Sequence, residues 1–241
     1  MLKITNTSVF GIHSAIEGMR FPMDSESDSN ELWEQTWEIW NNCEEGENPD
    51  ASISETMYDP QFMCFKIGER DNALAQKLAN AGPDHGKFLR MIHVQCTIEA
   101  PAYWIAEHDT YKVGTTRNSS SFMHTGVKNG FCIQQFDTGL GNLPLDYLPE
   151  DRKLIEAWNA VVDNLNALAA RYNQTKEEAY FQAIRKLLPS GWLIKYKWDA
   201  NYAVLRNIYH QRRYHRLPEW HEFCNWIETL PHSEWITGEK K

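Results

Sequence analysis

The residues best suited to chemistry lie between Leu187 and Trp220. Asn201 and Asn207 stand six apart, Arg212 follows five residues later, and Pro218, Glu219 and Trp220 come next. Apolar residues surround them, with Val204, Leu205, Ile208 and Tyr209 at i, i+1, i+4 and i+5. That spacing predicts one helix from Ala200 onward, with Asn201, Leu205, Ile208 and Arg212 on a related stripe. An arginine on such a stripe must meet an anion or a carboxylate, because an unpaired buried charge is too costly. Arg185 and Arg212 could each hold a phosphate, since a guanidinium pairs bidentately with one. The competing reading is surface ion pairing for both arginines. An asparagine amide both donates and accepts, which matches a cyclic imide or an adenine edge. Asn201 also suits a helix N-cap, and Asn207 suits solvent.

A second polar block runs from His85 to Ser121, HGKFLRMIHVQCTIEAPAYWIAEHDTYKVGTTRNSSS. Met91 to Glu99 alternates with period two and predicts a strand. Ala102 to His108 predicts a helix that starts after Pro101. His108 and Asp109 follow no metal-ligand spacing and read as structural or solvated. Around the long helix His210, Arg212, Arg213, His215 and Arg216 interleave with Tyr209 and Tyr214. Such a mixture can form a nucleic-acid patch, yet on a helix these residues spread over more than one face. His221 and His232 fit no standard metal site.

Taken together, the two blocks resemble the flavin-dependent thymidylate synthases, the ThyX family, over roughly residues 60 to 230. Leu188-Pro189, a strand, an Asn-x5-Asn-x4-Arg helix and Pro218-Glu219-Trp220 match the family's C-terminal part within one residue. His85 through Ala100-Pro101 matches its other block without a gap. Continued without a gap, the family's Arg-His-Arg triplet falls on Thr110, Tyr111 and Lys112, of which Lys112 alone keeps a charge. The serine after the triplet falls on Thr115, the following Asn-Glu on Arg117 and Asn118, and the next serine on Ser120. Glu107 stands where the family has Gln, and Phe122 where it has Arg.

The resemblance implies a single α+β domain over residues 1–241, with a central antiparallel β-sheet flanked by helices. By carry-over, Arg185, Arg212, Ser120, Glu107 and Arg117 would bind a nucleotide substrate, and Arg212 would be catalytic. His85, Tyr111, Lys112, Thr115, Asn201 and Asn207 would bind FAD, with NADPH and methylenetetrahydrofolate as cosubstrates. It also implies a homotetramer. Two functions stay open: methylation of dUMP to dTMP or a related C5 transfer, and a non-catalytic nucleotide-binding or interaction protein on the same fold. No metal is implied.

The composition narrows the partners. The formal charge of −9 over 241 residues argues against general nucleic-acid binding. Residues 24–59 are acidic, whereas residues 185–216 are basic, a distribution that suits a phosphorylated small molecule. Five scattered cysteines without a CxxC pair argue against a disulfide framework or zinc knuckle and suit a reducing cytoplasm. No stretch is apolar enough for a signal peptide or a membrane helix.

The remaining pattern predicts a strand over 2–12, a loop or short helix over 13–30, and a short helix over 31–40. Trp33, Trp37 and Trp40 share a face of that last helix, as core or subunit contact. An exposed acidic loop follows over 43–60. A helix over 71–81 ends at Gly82-Pro83, residues 114–121 form a polar turn, and 126–149 form loops. A long amphipathic helix over 149–172 carries Leu154, Trp158, Val161, Val162, Leu165, Leu168 and Ala169 on one face. Thr175 to Glu178 reads as a capping box for the next helix, and a strand over 191–198 comes last.

Overall fold

A computed structural model describes residues 1–25, 67–140 and 148–238. The tryptophan helix and the acidic loop expected between 31 and 60 lie outside the described residues. Four strands form one antiparallel sheet: β1 (Lys3–Phe10), β2 (His93–Pro101), β3 (Thr116–Ser119) and β4 (Leu193–Asn201), in the order β1-β2-β4-β3. The helices are α1 (Ile12–Arg20), α2 (Glu69–Asn80), α3 (Ala102–His108), α4 (Leu148–Thr175), α5 (Glu178–Leu187), α6 (Tyr202–Arg212), α7 (Pro218–Glu228) and the short α8 (Glu234–Thr237). The α+β class expected from the resemblance is therefore what the chain adopts.

Strand β2 shows why the sheet forms. Val94, Cys96, Ile98 and Ala100 are buried on one face, with Gln95 exposed between them. Strand β4 repeats the pattern with Tyr196, Trp198 and Ala200 inside and Lys195 and Lys197 more open. That alternation runs through Ala200, so the strand outlasts the expected helix start there. Helix α6 begins at Tyr202 and stops at Arg212, and Pro218 opens a separate helix. The polar turn expected over 114–121 holds β3, whose four residues are all exposed.

The described residues gather into two compact units. Unit 1 comprises 1–6, 96–112 and 116–198. Its core joins Leu165 and Ala169 of α4 and Ile184 of α5 with Val127, Phe131, Phe136 and Trp192. Trp158, Val161, Val162 and Leu168 pack against this core as the helical face predicts. Leu154 departs from it and is 36% exposed. The segment after Gly126, expected to be loop, is mostly irregular but carries core aromatics. Phe136 and Phe131 lie edge-on to Trp192 at 5.2 and 5.4 Å. The capping box is also revised. Thr175 ends α4, its hydroxyl donates to the Arg171 carbonyl at 2.9 Å, and it accepts from the Glu177 N–H at 3.2 Å. Lys176, at φ +60°, turns the chain between the two helices.

Unit 2 comprises 7–95, 113–115 and 199–241. Its core includes Ile16, Phe88, Ile92, Leu205, Trp220, Phe223 and Trp235. Buried Arg20 pairs with buried Asp71, joining α1 to α2. Arg206 of α6 donates to the Trp235 and Ile236 carbonyls at 2.8 and 3.1 Å and to Asn80 Oδ1 at 3.0 Å. Among the described residues no helix is long and apolar enough to cross a membrane.

Candidate nucleotide and flavin site

Helix α6 positions the asparagine and arginine residues singled out in the sequence. Asn201 is its N-cap, and its Oδ1 accepts from the Val204 N–H at 3.0 Å. Gly114 lies against this cap at φ +77°. A side-chain carbon there would stand 3.4 Å from Val204 and 3.5 Å from Asn201 Nδ2. The structure thus brings the loop of Thr115 to the start of α6, within unit 2. Asn207 is exposed one and a half turns on, and its Oδ1 accepts from Gln211 Nε2 at 2.8 Å. Both asparagines keep amide NH2 donors that these bonds do not use.

Arg212 ends α6, where the helix dipole favours a cation. It is half-buried, and its guanidinium lies 4.7 Å from the centre of the Trp220 ring. Trp220 is fully buried and is approached edge-on by His215 at 6.3 Å. The expected stripe holds in part: Leu205 and Ile208 are buried, while Asn201 and Arg212 stay half-buried. His85 also falls in unit 2 and is exposed.

The other expected residues fall in unit 1. Arg117 donates through Nη1 to both oxygens of Asp109, at 2.6 and 2.8 Å, and sits 5.3 Å above the Tyr196 ring. Ser120 is exposed, and its N–H donates to the Lys195 carbonyl at 2.9 Å. Arg185 is exposed on α5, 5.9 Å from the Phe181 ring. Thr110, Tyr111 and Lys112 belong to the short turn after α3, where the Thr110 hydroxyl donates to the Glu107 carbonyl at 2.7 Å. Glu107 and Tyr111 are half-buried, and Lys112 is exposed.

His108 takes the structural role expected of it, for a reason the sequence did not show. It is 2% exposed, stacked on Trp104 at 4.8 Å and tilted against Trp198 at 4.7 Å. Burial first, and the Arg117 charge second, push its pKa down to about 3. The Tyr196 hydroxyl and His108 Nδ1 share a hydrogen bond at 3.3 Å, and burial raises the tyrosine's own pKa, so both groups are neutral.

The amide donors of Asn201 and Asn207 suit the carbonyls of an imide edge. Of Thr110, Tyr111 and Lys112, Lys112 alone carries a cation that could pair with a phosphate. By donor chemistry alone the amides suit a flavin's carbonyls, and little positive charge is offered to its phosphates.

Solved structures share this fold from end to end. A thymidylate synthase X from Helicobacter pylori, solved with FAD and dUMP, superposes with a TM-score of 0.58 at 12% identity, covering 99% of this chain and 98% of that one. A second Helicobacter pylori structure of a flavin-dependent thymidylate synthase, also with FAD and dUMP, gives 0.57 at 13% identity over 98% of both chains. The UMP/dUMP methylase PolB from Streptomyces cacaoi, bound with 5-Br dUMP, gives 0.53 at 12% identity over 98% of this chain and 93% of that one. At these identities the likeness establishes the fold. No protein-family model and no curated protein sequence matches the chain.

Proposed function

We propose that this protein acts on C5 of a pyrimidine deoxynucleotide, as dUMP methylation to dTMP or a related C5 transfer, in the manner of a divergent flavin-dependent thymidylate synthase. The observation that carries the reading is Arg212, at the end of the Asn-x5-Asn-x4-Arg helix and held over Trp220. The end-to-end likeness to enzymes solved with FAD and dUMP supports it.

In this reading Arg185 and Ser120 hold the substrate phosphate, with Glu107 and Arg117 alongside. Arg212 stabilises negative charge that develops on the uracil ring. A preorganised cation stabilises such charge without reorganising during the reaction, and the Trp220 face restricts the guanidinium in advance. Asn201, Asn207, His85, Tyr111, Lys112 and Thr115 hold FAD. When bound, FAD supplies reducing equivalents for the transferred carbon, with NADPH and methylenetetrahydrofolate as cosubstrates. Among the described residues Cys96, Cys132 and Cys224 form no disulfide, which suits a reducing cytoplasm. The assembly is a homotetramer.

The reduced charge at 110–112 favours one second reading, a nucleotide-binding protein without redox chemistry. The absorbance spectrum of the purified protein, repeated with FAD and dUMP, separates the two. A bound-flavin spectrum perturbed by dUMP, and thymidylate formation lost in Arg212→Ala with circular dichroism unchanged, is the expected result. Binding of dUMP without retained flavin supports the second reading. Binding of neither overturns both.

A further inference from the structure

A cleft of about 600 Å³ opens within unit 2, between the end of α6 and the outer face of α7. Arg213, Tyr214, Arg216, His221, Cys224 and Glu228 are among the residues that line it, and Arg212 is not. Small-molecule pockets occupy roughly 300–1,000 Å³, so the cleft has room for one compact ligand.

Its chemistry is cationic and aromatic. The Arg213 guanidinium lies 4.9 Å from the centres of both the Tyr209 and Tyr214 rings, which restricts its rotamers before any ligand arrives. Arg216 and His221 are exposed on the same lining. Two guanidiniums with an imidazole suit a phosphate better than a carboxylate, given a phosphate's larger charge and number of acceptors. Tyr214 is 84% exposed and offers an aromatic face at the rim. A planar ring stacked on it would lose water on both sides. The Tyr209 hydroxyl donates to Glu228 Oε1 at 2.7 Å, which places a carboxylate at one side of the cleft. An acid there opposes a continuous phosphate backbone, as does the net charge of −9. Burial, with Glu228 adding to it, lifts the Cys224 thiol to about 11, so the one thiol in the lining stays protonated and unreactive. The lining therefore suits binding and offers no activated nucleophile.

We propose that this cleft is a binding site for a phosphorylated aromatic small molecule of mononucleotide size, with Arg213 and Arg216 on the phosphate and Tyr214 against the ring. Its lining includes none of the substrate residues assigned above, and the proposal does not depend on that assignment.

Calorimetric titration of the full chain with AMP, adenosine, inorganic phosphate and a dT20 oligonucleotide tests this. AMP is expected to bind and adenosine to bind at least tenfold more weakly, the effect of losing charge-assisted bonds to phosphate. Arg216→Ala should weaken AMP about tenfold. Tyr214→Ala should weaken AMP while leaving inorganic phosphate unchanged. Both side chains are exposed, so these variants retain the fold. Arg185→Ala, in the proposed substrate site, should leave AMP binding unchanged. The proposal is overturned if AMP does not bind, or if its affinity ignores both cleft variants. It is also overturned if affinity falls in Arg185→Ala alone, which assigns AMP to the substrate site. Much tighter dT20 binding with a steep salt dependence overturns it in favour of a nucleic-acid groove.

Discussion

Asn201 joins structural and proposed chemical roles in one side chain, and its two amide atoms separate them. Oδ1 caps α6, while the NH2 group is the donor proposed for flavin. Asn201→Ala should cost about 1 kcal/mol of stability through the lost cap. Asn201→Asp keeps the acceptor and should unfold near the wild-type urea midpoint, yet retain less flavin because the donor is gone. Equal flavin retention in Asn201→Asp would remove Asn201 from the cofactor site. His108 offers a second test at this scale. Its folded pKa of about 3 lies below the unfolded value of 6.5, so between these pH values the unfolded chain binds the extra proton. Its contribution is present above pH 6.5 and is lost progressively as pH falls toward 3, by an amount on the order of 4 kcal/mol at the acid end. His108→Phe should flatten the dependence of the urea midpoint between pH 6.5 and 5, where carboxylates contribute little. An unchanged slope would mean that His108 is protonated in the fold. The sequence placed His108 among non-catalytic residues, but not between two tryptophans, because those partners come from α3 and β4, almost a hundred residues apart.

At the scale of elements, periodicity located what local sequence controls. Helix α3 was legible to the residue, since Pro101 fixes its start. Helices α2 and α4 were legible within a few residues, through Gly82 at φ +107° and the apolar stripe of α4. The junction of β4 and α6 was misread because Ala200 and Tyr202 suit both elements and burial decides between them. The segment from Gly126 is loop as its Gly and Pro content predicts, but its anchoring was not legible, because it lacks periodicity and is held from outside. Asn166 on α4 accepts from the Phe131 N–H at 2.7 Å and donates to the Phe131 carbonyl at 2.9 Å. Asn173 donates to the Val127 carbonyl at 2.8 Å. Asn166→Ala should lower stability by about 2 kcal/mol, because two backbone groups lose their partner together. Limited proteolysis should then cut first between residues 126 and 137. Unchanged cleavage there would show that the aromatic core alone holds the segment.

For the whole molecule, likeness of fold and likeness of motif differ in extent. The architecture follows enzymes solved with FAD and dUMP over nearly the whole chain, while the triplet positions hold Thr110, Tyr111 and Lys112. Burial patterns specify a fold through many interchangeable apolar residues, whereas a pyrophosphate site rests on a few charges that have no substitutes. The fold was therefore legible from two motif blocks, and the strength of cofactor binding was not. Adding charges at these positions tests the proposed flavin site. Thr110, Tyr111 and Lys112 lie in a short turn, and Lys112 is exposed, so the triple variant Thr110→Arg, Tyr111→His, Lys112→Arg should fold. Among the losses is the exposed Thr110 bond to the Glu107 carbonyl. If FAD sits at these residues, the added cations should raise its affinity at least tenfold in equilibrium dialysis, most strongly at low ionic strength, where charge-assisted contacts are least screened. Unchanged affinity in a folded triple variant would place the flavin elsewhere and make the nucleotide-binding reading the stronger one.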